Sequence, residues 1–127
     1  MLSETQAGVK RDSLMGKYIY CITDGAEGES FGPMGIDSRG DEVTTIAYRG
    51  IAAVVSDSPV RRYPVSRENS LAHERAIEAV FKRHTVLPVR FCTIAGDEAI
   101  VRAVLERKYD EFRALLKEMR DKVEVGV

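Results

Sequence analysis

Apolar positions recur along this chain with two periods, and the switch between them outlines its elements. Residues 17–23, Lys-Tyr-Ile-Tyr-Cys-Ile-Thr, are rich in aromatic and β-branched side chains and predict a strand. Residues 24–40 hold Gly25, Gly28, Gly32, Gly35 and Gly40 with Pro33 and predict a long loop with a short extended piece at Met34–Ile36. Residues 43–48 and 51–56 are two β-like runs separated by Arg49-Gly50, the pattern of a tight hairpin in which Gly50 supplies a positive φ. The run Ile51-Ala-Ala-Val-Val is apolar on both faces and predicts a central strand. Residues 58–66, with Pro59 and Pro64, read as a connection.

The period then changes from two to 3.6. Leu71, Ile77, Val80, Phe81 and His84 fall on one side of a helix that starts near Arg67–Ser70 and ends near Arg83. Residues 86–93 predict a strand, and Pro88, which lacks a backbone donor, places it at a sheet edge or delays its pairing until after the proline. Asp97 is the expected N-cap of a second helix. Its apolar stripe runs through Ile100, Val101, Val104, Leu105, Phe112, Leu115, Leu116 and Met119, with a bend at Tyr109-Asp110. Residues 123–127 read as a final strand. The order predicts an α+β fold: a mixed sheet of four or five strands with two main helices packed on one face. Residues 1–16 form a polar stretch read as a disordered tail, and residues 17–127 one domain.

Composition narrows the function classes. In 127 residues, 44% are hydrophobic and 31% charged, which is enough for one modest core in a water-facing protein. A net charge of −1 gives no field that would gather nucleic acid or an anionic membrane surface. No apolar run approaches the ~20 residues that span a bilayer, and residues 1–16 lack a hydrophobic signal core, so a cytoplasmic location is the default.

The candidate chemistry concentrates in residues 71–93. His73 and His84 lie eleven residues apart. That spacing puts both on one side of a helix but ~16 Å apart along it, too far for one metal ion whose ligands each lie ~2 Å away. Both histidines are expected to be structural, with hydrogen-bonded rings. Cys21 and Cys92, the two cysteines, each fall in a strand and outside any CxxC pair. They read as small hydrophobes, and a disulfide between them stays open on sequence alone. A thiolate–imidazole dyad of Cys92 with His73 or His84 would need an accessible thiol at a helix start or beside a cation, which a mid-strand cysteine lacks. Arg90 alternates with Leu87, Val89 and Phe91, so it should face away from the core and meet Glu74 or Glu78 of the preceding helix. The glycines of 25–40 match neither dinucleotide nor P-loop spacing. The bases Arg61, Arg62, Arg67, Arg75, Lys82 and Arg83 alternate with acids and read as a solvated face.

Several ordered blocks together resemble a known family. They are Tyr18-Ile-Tyr-Cys-Ile, Gly50-Ile-Ala-Ala-Val-Val-Ser56, Asn69-Ser-Leu-Ala-His-Glu-Arg-Ala-Ile-Glu78 and, most specifically, Thr85-Val-Leu-Pro-Val-Arg-Phe-Cys-Thr-Ile94. They resemble the N-terminal domain of the gas vesicle protein L/F family across residues 17–127. His73, Glu74, Pro88, Arg90 and Phe91 stand in the blocks that carry the resemblance, as a structural motif. The chain departs from the family pattern at Cys92, where a glycine is usual, and on this resemblance the family's second domain is expected to be absent. The resemblance implies an α+β fold and no catalytic, metal or cofactor site. It implies an accessory or minor structural protein of gas vesicle assembly, in the cytoplasm or at the vesicle. Its partners would be the major shell protein, whose aggregation it would limit during nucleation, and other gas vesicle accessory proteins. A shell subunit must expose apolar surface and strand edges to polymerise, so a small partner that caps them is physically reasonable. The surfaces expected to make such contact are residues 123–127, the Pro88 edge and the glycine-rich loop. Two other readings compete: a small-molecule-sensing α+β module with its ligand between the long loop and the sheet, and a small cysteine or histidine hydrolase.

Overall fold

A computed structural model describes residues 15–124. Five strands, β1 (Met15–Asp24), β2 (Ser30–Gly32), β3 (Val43–Tyr48), β4 (Ile51–Pro59) and β5 (Val86–Ala95), form one sheet in the order β2-β3-β4-β1-β5. Three helices accompany them: α1 (Arg67–Phe81), α2 (Glu98–Arg107) and α3 (Tyr109–Glu124).

The α+β class is as expected, but two details of the sheet differ. It is antiparallel at every pairing, not mixed. β4, α1 and β5 form a β-α-β unit whose strands run in the same direction, and β1 is inserted between them antiparallel to both. Local pattern shows the β-α-β order but carries no signal of a strand from the chain start entering it. The helices also cover both faces. Tyr18, Tyr20, Cys21, Val43 and Val54 pack with Ala76 and Val80 of α1 on one face. Ile22, Ile46, Ile51, Ala53 and Val55 pack with Val101 and Leu105 of α2 and Leu116 of α3 on the other. A sheet apolar on both sides of β4 requires two covering layers.

The hairpin is the predicted one. Tyr48 faces Ile51 across the turn, with Arg49 at φ 47° and Gly50 at φ 91°. Both central residues have positive φ, which matches the twist of the flanking strands. β4 is central and β5 lies at the edge, where its proline is tolerated, although pairing begins at Val86, before Pro88. The long loop is more ordered than expected. It contains β2 and a short 3-10 turn at Ile36–Ser38 in place of an extended Met34–Ile36.

α1 is capped by Ser66, whose side chain accepts from the Asn69 amide, and α2 by Asp97, which accepts from Ile100. The buried side of α1 is Asn69, His73, Ala76 and Val80, whereas Leu71 is half-buried and Phe81 exposed. The alanines on and beside this face, Ala72, Ala76 and Ala79, let the helix lie close to the sheet, so the larger apolar groups flank the contact. The expected bend is a break at Lys108 between α2 and α3. The expected final strand is overturned at its start, since α3 continues to Glu124, and positions 125–127 lie outside the described residues, as does most of the expected tail. Helix is favoured there by i,i+4 ion pairs, Lys117–Asp121 at 3.0 Å and Lys122–Glu118 at 3.9 Å, that an extended chain would lose. Tertiary ties hold α3 as well: the Tyr109 hydroxyl donates to the Arg49 carbonyl (2.7 Å), and Arg120 pairs with Asp24 (2.6 Å).

Gly16 shows how closely the start of β1 is packed. A Cβ there would overlap the Ala95 carbonyl oxygen of β5 and lie 2.8 Å from Val60 Cγ2. At Gly96 the nearest atom to an added Cβ is the movable Ile100 Cδ1, at 3.3 Å. Gly16→Ala should therefore destabilise the domain by roughly 2 kcal/mol and Gly96→Ala by less than about 1 kcal/mol, compared by urea denaturation. Equal effects would contradict the close approach of β1 and β5.

Candidate functional site

β1 carries a bulge at its middle. On the β4 side Ile19 pairs with Val55 and Cys21 with Val54, so Tyr20 is the extra residue. The insertion turns Tyr18, Tyr20 and Cys21 to the same face and sends Ile22 to the other. On the β5 side the irregularity is larger. Ile19 pairs with Thr93, but Cys21 pairs with Pro88, so Val89 to Cys92 arch away from the ladder. Cys92 adopts φ 67°, the left-handed conformation that side chains disfavour.

A buried polar cluster holds this arch. The Cys92 amide donates to the Tyr18 hydroxyl oxygen at 2.9 Å, and the Tyr18 hydroxyl meets His73 Nδ1 at 2.9 Å. His73 Nε2 lies 2.9 Å from the Val89 carbonyl oxygen. A carbonyl only accepts, so the imidazole carries its proton on Nε2 and Nδ1 accepts from Tyr18. Beside this chain the Ile36 amide donates to the Tyr20 hydroxyl at 2.8 Å, and Tyr20 and Ser56 share a hydrogen bond at 2.8 Å. The Tyr63 and Ser58 hydroxyls are similarly paired, and the Asn69 side-chain amide donates to the Pro64 carbonyl at 3.1 Å. Phe91 packs edge-on to His73, with ring centroids 5.7 Å apart.

Burial sets the electrostatics. It lowers the His73 pKa and so favours the neutral ring that the hydrogen bonds require. It raises the Tyr18 and Tyr20 pKa values, so both hydroxyls keep their protons. It pushes the Cys21 thiol up to about 12, which leaves it an inert small hydrophobe. Both cysteines are free thiols, and Cys92 is only half-buried, with the Tyr63 amide 3.3 Å from its Sγ.

The structure brings some of the sequence candidates together and separates others. His73 and Phe91 meet in the cluster. Pro88 sits on the edge strand opposite Cys21. Glu74 is exposed on α1, and Arg90 is exposed on the arch. The expected pairing of Arg90 with Glu74 or Glu78 does not occur among the ion pairs of the described residues. Arg90 sits on the arch, outside the regular ladder, a departure that the alternating pattern could not convey. His84 does not join His73: its Nε2 bonds Glu29 Oε1 at 2.7 Å. Hydrogen bonds from Arg83 and then His84 hold the Glu29 carboxyl below its usual range. Among the described residues no three His, Cys, Asp or Glu side chains gather as metal ligands. Tyr18, Tyr20 and Tyr63 were missed as site residues. The spacing Tyr18-x-Tyr20 was the available signal, because two hydroxyl-bearing rings on one face of a buried strand must find polar partners.

Beside the arch, the connection at residues 60–65 and β5 residues 90–94 enclose an open cleft of about 550 Å³. Its apolar lining includes Val65, Phe91 and Ile94, and its polar lining includes Arg61, Arg62 and Arg90. Arg61 is engaged by Asp37 at 2.5 Å and lies over the Tyr63 ring at 4.6 Å.

Two expectations follow from the cluster. The folded chain keeps His73 neutral at pH values where an unfolded histidine, with a pKa of ~6.5, takes up a proton. Its stability is therefore fully present above the unfolded pKa and falls below it, by up to ~1.4 kcal/mol per pH unit. Urea midpoints should drop between about pH 7.5 and about pH 5.5, and His73→Gln should flatten that drop; an unchanged slope would contradict a neutral buried ring. At Cys92 the left-handed backbone suits glycine. Cys92→Gly should be within about 1 kcal/mol of the parent or more stable, and Cys92→Val less stable by roughly 2 kcal/mol, as read from thermal denaturation.

Comparison with known proteins accounts for this fold. The family model for gas vesicle synthesis protein GvpL/GvpF matches residues 16–127. Gas vesicle protein F of a Streptomyces species is 31% identical over 114 residues, covering 89% of this chain and 48% of that protein. Gas vesicle protein L1 of Halobacterium salinarum is 29% identical over 124 residues, covering 87% of this chain and 41% of that protein. The crystal structure of GvpF from Anabaena sp. PCC7120 superposes with a TM-score of 0.66 at 24% identity, over 81% of this chain and 43% of that one, which shows the shared fold. The chain thus spans about half the length, or less, of the relatives it matches. The chain belongs to the gas vesicle synthesis protein GvpL/GvpF family.

Proposed function

We propose that this chain serves gas vesicle assembly as a non-catalytic binding protein that engages the major shell protein and limits its aggregation before it polymerises. The family match across residues 16–127 carries this reading. The geometry supports it in two ways. The buried hydroxyls and the His73 ring nitrogens are taken up in hydrogen bonds to backbone and to one another, so the cluster works as scaffold. The edge strand β5 and the cleft beside it offer the kind of surface to which an extended or apolar partner segment can dock. In this reading His73, Pro88 and Phe91 shape the β5 arch, Arg90 stands on its outer side, and Glu74 is an exposed helix residue. Other gas vesicle accessory proteins are further partners, and the site of action is the cytoplasm and the gas vesicle. No helix among the described residues is long and apolar enough to cross a membrane.

Co-expression with the major gas vesicle shell protein tests the proposal. More of the shell protein should stay in the soluble fraction, and it should co-purify with an affinity-tagged form of this chain. A shell protein that aggregates regardless, with nothing co-purifying, would remove the binding role from residues 1–127.

A further inference from the structure

The strongest feature outside the polar cluster is the cleft between residues 60–65 and the β5 arch. Its chemistry is one-sided. The chain as a whole is nearly neutral, at −1, yet three arginines and no carboxylate line this cleft. Arg61 has an ion-pair partner in Asp37 and a stacking partner in Tyr63, which fix its guanidinium at the rim. Arg62 and Arg90 are exposed and join no ion pair among the described residues. Between the arginines lies apolar surface: Val65 is 82% exposed, and Phe91 and Ile94 are half-buried. Arginine presents a planar fork that binds carboxylates in a bidentate way, and apolar lining beside it rewards burial of apolar groups of the same ligand. Four of its lining residues, Arg90, Phe91, Cys92 and Ile94, belong to β5, the outermost strand of the sheet, whose edge is free among the described residues and open to a further chain.

We propose that this cleft is the docking site for an extended partner segment that presents both acidic and apolar side chains on each of its sides. The carboxylates bind Arg62 and Arg90, and the apolar side chains cover Val65, Phe91 and Ile94. This deepens the proposed binding role, and rests on it, by naming the surface and the chemistry of the segment it takes. The His73–Tyr18 cluster contributes indirectly, because the arch it holds in place presents Arg90 and Phe91 to the cleft.

The test is fluorescence anisotropy with a short labelled peptide built of glutamate pairs alternating with valine pairs, beside a counterpart with lysine in place of glutamate. The full chain should bind the glutamate peptide and not the lysine peptide, with affinity falling as salt rises. Arg62→Glu combined with Arg90→Glu should weaken binding at least ~10-fold, and Val65→Ser should weaken it less. Both arginines are exposed, so these variants should keep the parent melting curve; Arg62→Gln with Arg90→Gln repeats the test without charge reversal. Equal binding of the two peptides, unchanged affinity in both double variants, or full displacement by inorganic phosphate would overturn the proposal. Shell-protein capture is measured in parallel with the same variants. Capture that survives both double variants would overturn the cleft and leave the assembly role standing. Arginine-dependent peptide binding without shell-protein capture would support the cleft and move its partner to another acidic protein.

Discussion

The imidazole of His73 is the point at which three segments of the chain are tied together. It projects from α1, accepts from the Tyr18 hydroxyl of β1, and donates to the Val89 carbonyl of β5, while Tyr18 also receives the Cys92 amide. Each of these bonds satisfies a group that would otherwise be costly inside a core, by roughly 1–3 kcal/mol for each one left unpaired. The segments lie far apart in sequence, with Tyr18 and His73 55 residues apart and Tyr18 and Cys92 74 residues apart. A hydrogen-bonded ring of one tautomer therefore sets how α1 lies on the sheet and how β5 departs from it.

The departure of β5 has consequences across that side of the molecule. With Val89 to Cys92 out of the ladder, Arg90 is exposed beside the cleft and Phe91 packs against Tyr18 and His73. Cys92 takes a left-handed backbone, the conformation best suited to glycine. The residue still offers its amide to Tyr18, so the constraint falls on the backbone and not on the side chain. The Tyr20 bulge in β1 works in the same direction. It gives two successive residues, Tyr20 and Cys21, to the α1 side, which is how one strand supplies a polar cluster and an apolar core together.

These devices build a scaffold, and the cleft is their outward product. Its apolar and arginine lining comes from the connection after β4 and the arch, which meet where the Tyr63 amide lies against Cys92 Sγ. A binding role requires such a surface on rigid supports, and here the supports are the paired buried hydroxyls of Tyr18, Tyr20, Ser56, Ser58 and Tyr63. Among the described residues the buried side-chain oxygen without a hydrogen-bond partner is Thr45 Oγ1, which lies outside this cluster.

Local chemistry was written plainly in the sequence. The Arg49-Gly50 turn, the Asp97 cap, the central position of β4, the edge position of β5 and the order of elements each follow from a few adjacent residues, because turn geometry, capping and strand periodicity are short-range effects. The family resemblance was equally legible, since it rests on ordered blocks of sequence. The insertion of β1 between β4 and β5, the cover of both faces, the helical state of α3 up to Glu124 and the Arg90 arch were not. Apart from the local ion pairs of α3, these depend on contacts between residues tens of positions apart, and the bulge leaves no mark in β1 because residues 18–22 are apolar on both faces. The sequence by itself determined the four long strands, the hairpin turn and the helix starts, but not β2 or the helical end of α3. Only the tertiary structure decided which strands became neighbours, and so which histidine, tyrosine and arginine side chains came to act together.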